Sequence, residues 1–111
     1  MEIKYKSCEL DKKQLYKHTR GMSIPMKEVQ DGKVITPAEI VVYTDSRADG
    51  SEVIITSIID TNGAHYTTSS DVFRRELSDI VQIMDGEPFD LVVIKKQSKT
   101  GGRTYVTCSL A

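Results

Sequence analysis

The sequence lacks the features that mark membrane, secreted and zinc-binding proteins. No apolar run approaches the roughly 20 residues that a membrane helix needs, and the first twenty residues are polar and charged, unlike a secretory signal. The two cysteines, Cys8 and Cys108, form no Cys-x-x-Cys pair and have no nearby pair of histidines. These absences predict a cytoplasmic chain with reduced, structural thiols and no bound metal.

Motifs of catalysis and of phosphate binding are missing as well. There is no Walker loop, no Gly-x-Ser-x-Gly and no His-Glu-x-x-His. The two histidines, His18 and His65, are interpreted as isolated surface residues, and the acidic residues around Asp85 as a solvated face rather than a metal site. The sequence therefore predicts a protein that is not an enzyme and that needs no cofactor.

Charge is distributed unevenly along the chain. The net charge is -1, but residues 1–20 carry +3 and residues 95–103 carry +4, which leaves -8 on residues 21–94. Segregated charge can present a basic face to a polyanion even when the average is near zero, because the local field steers the encounter. The two basic segments are therefore candidate contacts for a polyanion.

Hydrophobic periodicity predicts a short helix, three strands, a longer helix and two strands. The short helix begins after Asp11 as N-cap and ends at Gly21, with Leu15 and Tyr16 turned inward. Three strands follow from Ala38, and Asn62-Gly63 predicts a two-residue turn with positive φ at both positions. The longer helix is "SSDVFRRELSDIVQIM", and the last strands are "FDLVVIKK" and "RTYVTCSL", joined by the loop "QSKTGG".

The order of three strands, a helix and two strands predicts an OB-fold. This fold is a five-stranded Greek-key barrel, and the helix between strands three and four closes one end. One domain over residues 1–111 is expected, with residues 1–37 as an N-terminal extension with the first strand pieces and residues 38–111 as the barrel core. An open α+β sheet and a β-grasp-like arrangement are the alternatives.

Alternation in the last strand places an aromatic ring beside a cation. Val106, Cys108 and Leu110 share the apolar side, so Arg103 and Tyr105 share the polar side. An exposed ring can stack on a nucleobase while a guanidinium meets a phosphate, which is how proteins bind single strands without sequence preference. This arrangement predicts a nucleic-acid-binding surface on the closing hairpin.

Other tyrosines and cations extend this prediction. One of His65 and Tyr66 is expected to face outward, because neighbouring residues in a strand point to opposite faces. The same tyrosines could instead be cross-strand packing partners with buried rings. The candidate binding residues are Tyr105, Arg103, Lys99, Lys96, Lys95, Tyr66, Tyr43, Tyr16, Lys17 and Arg20.

Residues 54–111 resemble a known family. The strand and turn before "YTTSSDVF", the helix "FRRELSDIVQIM", the acidic "DGEPF" and the hairpin "SKTGGRTYVTC" are similar to small single-stranded-DNA-binding proteins of phages and conjugative plasmids of Gram-positive bacteria. The resemblance implies an OB-fold that coats transient single-stranded DNA during replication. It maps the family's DNA contacts onto Lys99, Arg103 and Tyr105, and it leaves open whether the chain forms a homo-oligomer.

A second interpretation starts from the acidic middle of the chain. A small regulatory module from a mobile element could use the -8 charge on residues 21–94 to bind a host protein. The sequence does not separate DNA from RNA as a partner, because stacking surfaces accept both. Single-stranded DNA is the expected partner, with RNA and a host protein as alternatives.

Overall fold

Two β-sheets and two α-helices make up the chain, which a computed structural model describes over all of residues 1–111. Strands predominate in this mixed α/β structure. In chain order the elements are β1 (Glu2–Lys6), α1 (Lys12–Arg20), β2 (Ile24–Pro25), a 3₁₀ turn (Met26–Glu28), β3 (Val34–Ile35), β4 (Pro37–Ser46), β5 (Glu52–Asp60), β6 (His65–Thr68), α2 (Asp71–Met84), β7 (Leu91–Gln97) and β8 (Thr104–Leu110). Neither α1 nor α2 has the length and apolar character needed to cross a bilayer.

The two sheets divide the strands unequally. The large sheet has the order β1-β4-β5-β6-β2, and the small sheet has the order β3-β7-β8. All pairs are antiparallel except β2 with β6. The predicted order of a three-stranded meander (β4, β5, β6), a helix (α2) and a hairpin (β7, β8) is confirmed.

The predicted five-stranded closed barrel does not form. Closure would require the hairpin to pair with the outer edges of the meander. Those edges are taken by short N-terminal strands, because β1 pairs with β4 and β2 pairs with β6. On the other sheet, β3 occupies the outer edge of β7. The segment interpreted as an extension therefore supplies the strands that keep the two sheets separate.

The main core lies between the large sheet, α2 and the small sheet. Phe73, Leu77 and Ile80 form the buried stripe of α2. Ser70 caps the helix by accepting a hydrogen bond from the backbone N–H of Phe73, and its hydroxyl donates to the carbonyl oxygen of Val106 on β8. The start of α2 is thus hydrogen-bonded to the small sheet. Val72, near the start of the same helix, is 44% exposed.

Helix α1 covers the opposite face of the large sheet. Its N-cap at Asp11 and its end at Gly21 agree with the sequence prediction. Tyr16 faces solvent, contrary to the prediction that it turns inward, and His18 is the buried residue of the helix. Because the large sheet is covered on both faces, His65 and Tyr66 are both buried although they point in opposite directions. The predictions of surface histidines and of an outward residue at 65 or 66 were wrong.

The β5–β6 turn differs from the predicted type. Gly63 has a φ of 86°, but Asn62 does not adopt a positive φ. The carboxylate Oδ1 of Asp60 accepts hydrogen bonds from the backbone N–H groups of Asn62 and Ala64, both at 2.9 Å. Glycine is required at position 63 alone, because the Asp60 side chain holds the rest of the turn.

The two cysteines should differ sharply in reactivity. Cys8 is exposed, whereas Cys108 is buried and desolvation raises the pKa of its thiol to about 12. Since the thiolate is the reactive form, iodoacetamide at pH 8 should modify Cys8 alone in the folded protein. Intact-mass spectrometry should show one adduct under native conditions and two in denaturant. Two adducts on the folded chain would contradict this burial of Cys108.

Candidate nucleic-acid interface

The β7–β8 hairpin exposes an aromatic ring among cations. Tyr105 is 36% exposed and lies directly across from Lys96 in the antiparallel register. Val106 and Cys108 point into the core, as alternation predicted, whereas Leu110, assigned to the same side, is 45% exposed. Thr107 is buried although it shares the side of Tyr105, so that face is interrupted between the exposed residues Tyr105 and Ser109.

The hairpin loop holds the remaining basic residues of the segment. The backbone N–H of Ser98 donates to the carbonyl oxygen of Arg103 at 2.8 Å and closes the loop. Gly102 has a φ of 64°, in the left-handed region that glycine adopts without strain. Lys99 and Arg103 are exposed on this loop. The loop therefore extends the charged surface beyond Lys96 and Tyr105.

A shallow groove lies beside Tyr105. One wall of the groove is the 3₁₀ turn, because the amine of Lys95 donates to the carbonyl oxygen of Lys27. The backbone N–H of Lys95 also donates to Asp31 Oδ1, after the turn, at 2.9 Å. The Lys95 side chain is thus half-buried and held along the groove. The lining residues are Lys27, Glu28, Lys95, Thr104, Tyr105 and Val106.

A second groove begins on the other side of Lys27. Strand β6 pairs only with residues 56–59 of β5, so the first half of β5 has no strand on that side. The open edge forms an apolar floor from Val53 and Ile55, with Lys27 and Arg47 as its cations. Pro25, Met26 and the hydroxyl-bearing residues 67–69 complete the lining.

Sequence reasoning missed Lys27 and Arg47. Lys27 lies 68 residues before Lys95, and only the tertiary contact brings the two together. Arg47 belongs to the β4–β5 turn, where a single cation is an ordinary surface residue. No local signal distinguishes either of them from the other lysines and arginines of the chain.

The cations of this surface form no salt bridge, although Glu28 also lines the groove beside Tyr105. The salt bridges of the chain join Lys4 to Glu2, Lys6 to Glu9, His18 to Glu39 and Arg74 to Asp71. None of them involves a cation of the hairpin or of the two grooves. Their positive charge is therefore available to a polyanion, because no internal ion pair has to be broken first.

Two of the predicted tyrosines do not belong to the candidate site. Tyr43 and Tyr66 are both buried, and burial raises the pKa of each phenol. Tyr43 packs beneath α1, where its hydroxyl lies 3.5 Å from the carbonyl oxygen of Thr19. Tyr66 belongs to the main core on the opposite face. Neither ring is open to a base, which agrees with the alternative interpretation of packing partners.

The second basic segment lies elsewhere. Tyr16, Lys17 and Arg20 are exposed on α1. Helix α1 covers one face of the large sheet, and the small sheet with its hairpin packs toward the other. The structure therefore does not bring the two basic segments into one surface, and the hairpin set is the candidate site.

A chain of buried polar groups lies beneath α1. Glu39 Oε1 is 2.9 Å from His18 Nε2, and Ser57 Oγ is 2.7 Å both from His18 Nδ1 and from His65 Nε2. The chain ends at His65 Nδ1, which lies 3.0 Å from the carbonyl oxygen of Met22. Acid, histidine and serine in this order are typical of an activated nucleophile. Ser57 is 0% and His18 1% exposed, however, so a substrate does not reach the hydroxyl in this conformation.

Comparison with known proteins finds no significant match. This holds for models of protein families, for curated protein sequences and for solved structures. The class that the fold defines is a mixed α/β domain of two sheets. One of its surface features is the exposed hairpin ring with cations that form no salt bridge.

Proposed function

We propose that the chain binds single-stranded DNA, without sequence preference, through the hairpin surface. The observation that carries the proposal is the exposed ring of Tyr105 opposite Lys96, with Arg103 and Lys99 on the adjoining loop. Stacking on an aromatic ring is worth about 1–3 kcal/mol per base and accepts any base, because every base has a π-face. The cellular role that we propose is the coating of transient single strands during phage or plasmid replication.

The two grooves support the same proposal. Lys27 lines both of them, so a backbone that leaves Tyr105 can pass Lys27 and reach Arg47. Half-buried Val53 and Ile55 offer an apolar floor for a base or sugar between the cations. The interface needs no closed barrel, because its residues lie on one hairpin, one turn and one open sheet edge. An OB-like arrangement of strands is thus compatible with the proposal but is not required.

Fluorescence anisotropy with labelled oligo-dT and a matched duplex, at 50 and 200 mM salt, tests this function. Single-strand affinity should exceed duplex affinity. If Lys27, Lys96, Lys99 and Arg103 each neutralise one phosphate, the logarithm of the binding constant should fall with a slope of about 2.8 against log salt. Affinity should then drop by about 50-fold between the two concentrations.

The same titration separates the alternatives. An equal affinity for oligo-U would widen the substrate class to RNA, and the proposed function would be single-stranded nucleic-acid binding. Equal or tighter binding of the duplex would overturn the proposal. Absence of binding to every probe would also overturn it and would favour the protein-interaction role of the acidic residues 21–94.

A further inference from the structure

The buried chain under α1 has two ends that only accept hydrogen bonds. One end is the carboxylate of Glu39, which also accepts from Gln14 Nε2 at 3.1 Å. The other end is the backbone carbonyl of Met22. Neutral histidines satisfy both ends when His18 carries its proton on Nε2 and His65 carries its proton on Nδ1. The geometry thereby fixes the tautomer of both rings in their neutral state.

In this neutral state the two contacts of Ser57 with the histidine rings share a single hydrogen. His18 Nδ1 and His65 Nε2 both present lone pairs to Ser57 Oγ at 2.7 Å, and the serine has one hydrogen to donate. One added proton supplies the missing hydrogen, so that each of the four contacts has one. A second added proton makes both rings cationic, with ring centroids 5.7 Å apart. Both rings would then donate to Ser57 Oγ, whose own hydrogen would lose its acceptor, so the docked cluster takes at most one added proton.

We propose that Glu39, His18, Ser57 and His65 form a proton-sensitive latch that holds α1 on the large sheet and releases it when the cluster must take a second proton. The latch joins the helix through His18 to β4, β5 and β6. It also holds the segment that follows the helix, because the Met22 carbonyl is the last acceptor. Release of the helix frees both histidines to take protons in water.

The surrounding charges give the direction of the pH effect. The charged groups that face the rings are Lys17 of α1 and Glu39 of β4. Burial lowers the pKa of His18 and of His65, and Lys17 lowers both further, while Glu39 opposes this shift for His18. In the docked state the pKa values of both rings therefore lie below the ordinary value of about 6.5. The docked state is thus favoured above that pH and becomes less stable as the pH falls.

Amide hydrogen exchange of the full chain, followed by NMR between pH 7 and 5, measures the opening of α1. Exchange of the α1 amides is compared with exchange of the β4–β5 ladder after correction for the intrinsic rate. The docked cluster holds at most one proton and the open form holds two. Since open histidines titrate near 6.5, the opening constant should therefore rise by at least about sixfold between pH 6 and pH 5.

Two variants complete this test. His65→Gln removes one titrating ring and should lower the slope by about one proton. Tyr16→Ala alters an exposed residue of the same helix and should leave the slope unchanged. A wild-type opening constant that changes less than about twofold over this range, or the full slope in His65→Gln, would overturn the latch.

A second readout does not depend on how stable the variant is. Nitrogen-15 spectra of the wild-type side chains report the tautomer and the charge of each ring. At pH 7 the latch requires the proton on Nε2 of His18 and on Nδ1 of His65 in the fraction that is neutral. Spectra that show both rings cationic while the α1 amides stay protected from exchange would contradict the proposal.

Discussion

Replacing Tyr105 with alanine is expected to weaken the binding of oligo-dT by about 5- to 150-fold. This range corresponds to the loss of about 1–3 kcal/mol of base stacking. Adding Arg103→Ala should lower affinity further and reduce the salt slope by about 0.7, because one phosphate contact is lost. Anisotropy titrations of the single and double variants measure both effects.

The controls separate binding from folding. Tyr105 is partly exposed near the end of a hairpin, so Tyr105→Ala should change the free energy of unfolding by less than about 1 kcal/mol. Tyr16→Ala removes a more exposed ring, at 66%, on the other side of the large sheet and should leave DNA affinity unchanged. Equal losses from Tyr105→Ala and Tyr16→Ala would argue against a stacking site on the hairpin.

Phe73→Ala is expected to lower the free energy of unfolding by about 3–5 kcal/mol. Phe73 is 0% exposed in the core between the large sheet, α2 and the small sheet. Because the barrel is open, these core contacts replace the strand pairing that would otherwise join the sheets. The cavity left by the ring should therefore weaken the contact between them. Urea denaturation followed by circular dichroism measures the change.

Ile83→Ala is the matched control for this variant. Ile83 lies on the same helix but is 78% exposed, and its truncation should change stability by no more than about 0.5 kcal/mol. Similar losses from Phe73→Ala and Ile83→Ala would show that the buried stripe of α2 does not hold the sheets together. A Phe73→Ala chain that is already unfolded in water would agree in direction with the expected loss.

Local patterns in the sequence were sufficient to predict both helices and the five strands β4 to β8. Both helices follow from capping residues and apolar spacing, with Asp11 and Ser70 as the observed N-caps. The outward direction of Tyr105 follows from the period of two in β8. These features depend on residues within a few positions of one another, which a single sequence displays.

Features that depend on distant residues could not be predicted in the same way. The barrel stays open because strands of two residues, Ile24–Pro25 and Val34–Ile35, occupy edges of β6 and β7. Such short strands carry no periodic signal. His18 is buried because Ser57 lies 39 residues later in the chain. Tyr43 and Tyr66 are likewise buried because helix α1 and the main core cover the two faces of the large sheet. Alternation along a strand does not show whether a face of the sheet is covered.

Chemical-shift mapping of the nitrogen-15-labelled chain during titration with oligo-dT tests the proposed interface most directly. Shifts should concentrate on residues 95–106, on Lys27 and on the turn around Arg47, with little change on the outer face of α2. Shifts confined to α2 or to α1, or an unchanged spectrum at saturating oligonucleotide, would contradict a nucleic-acid interface on the β7–β8 hairpin.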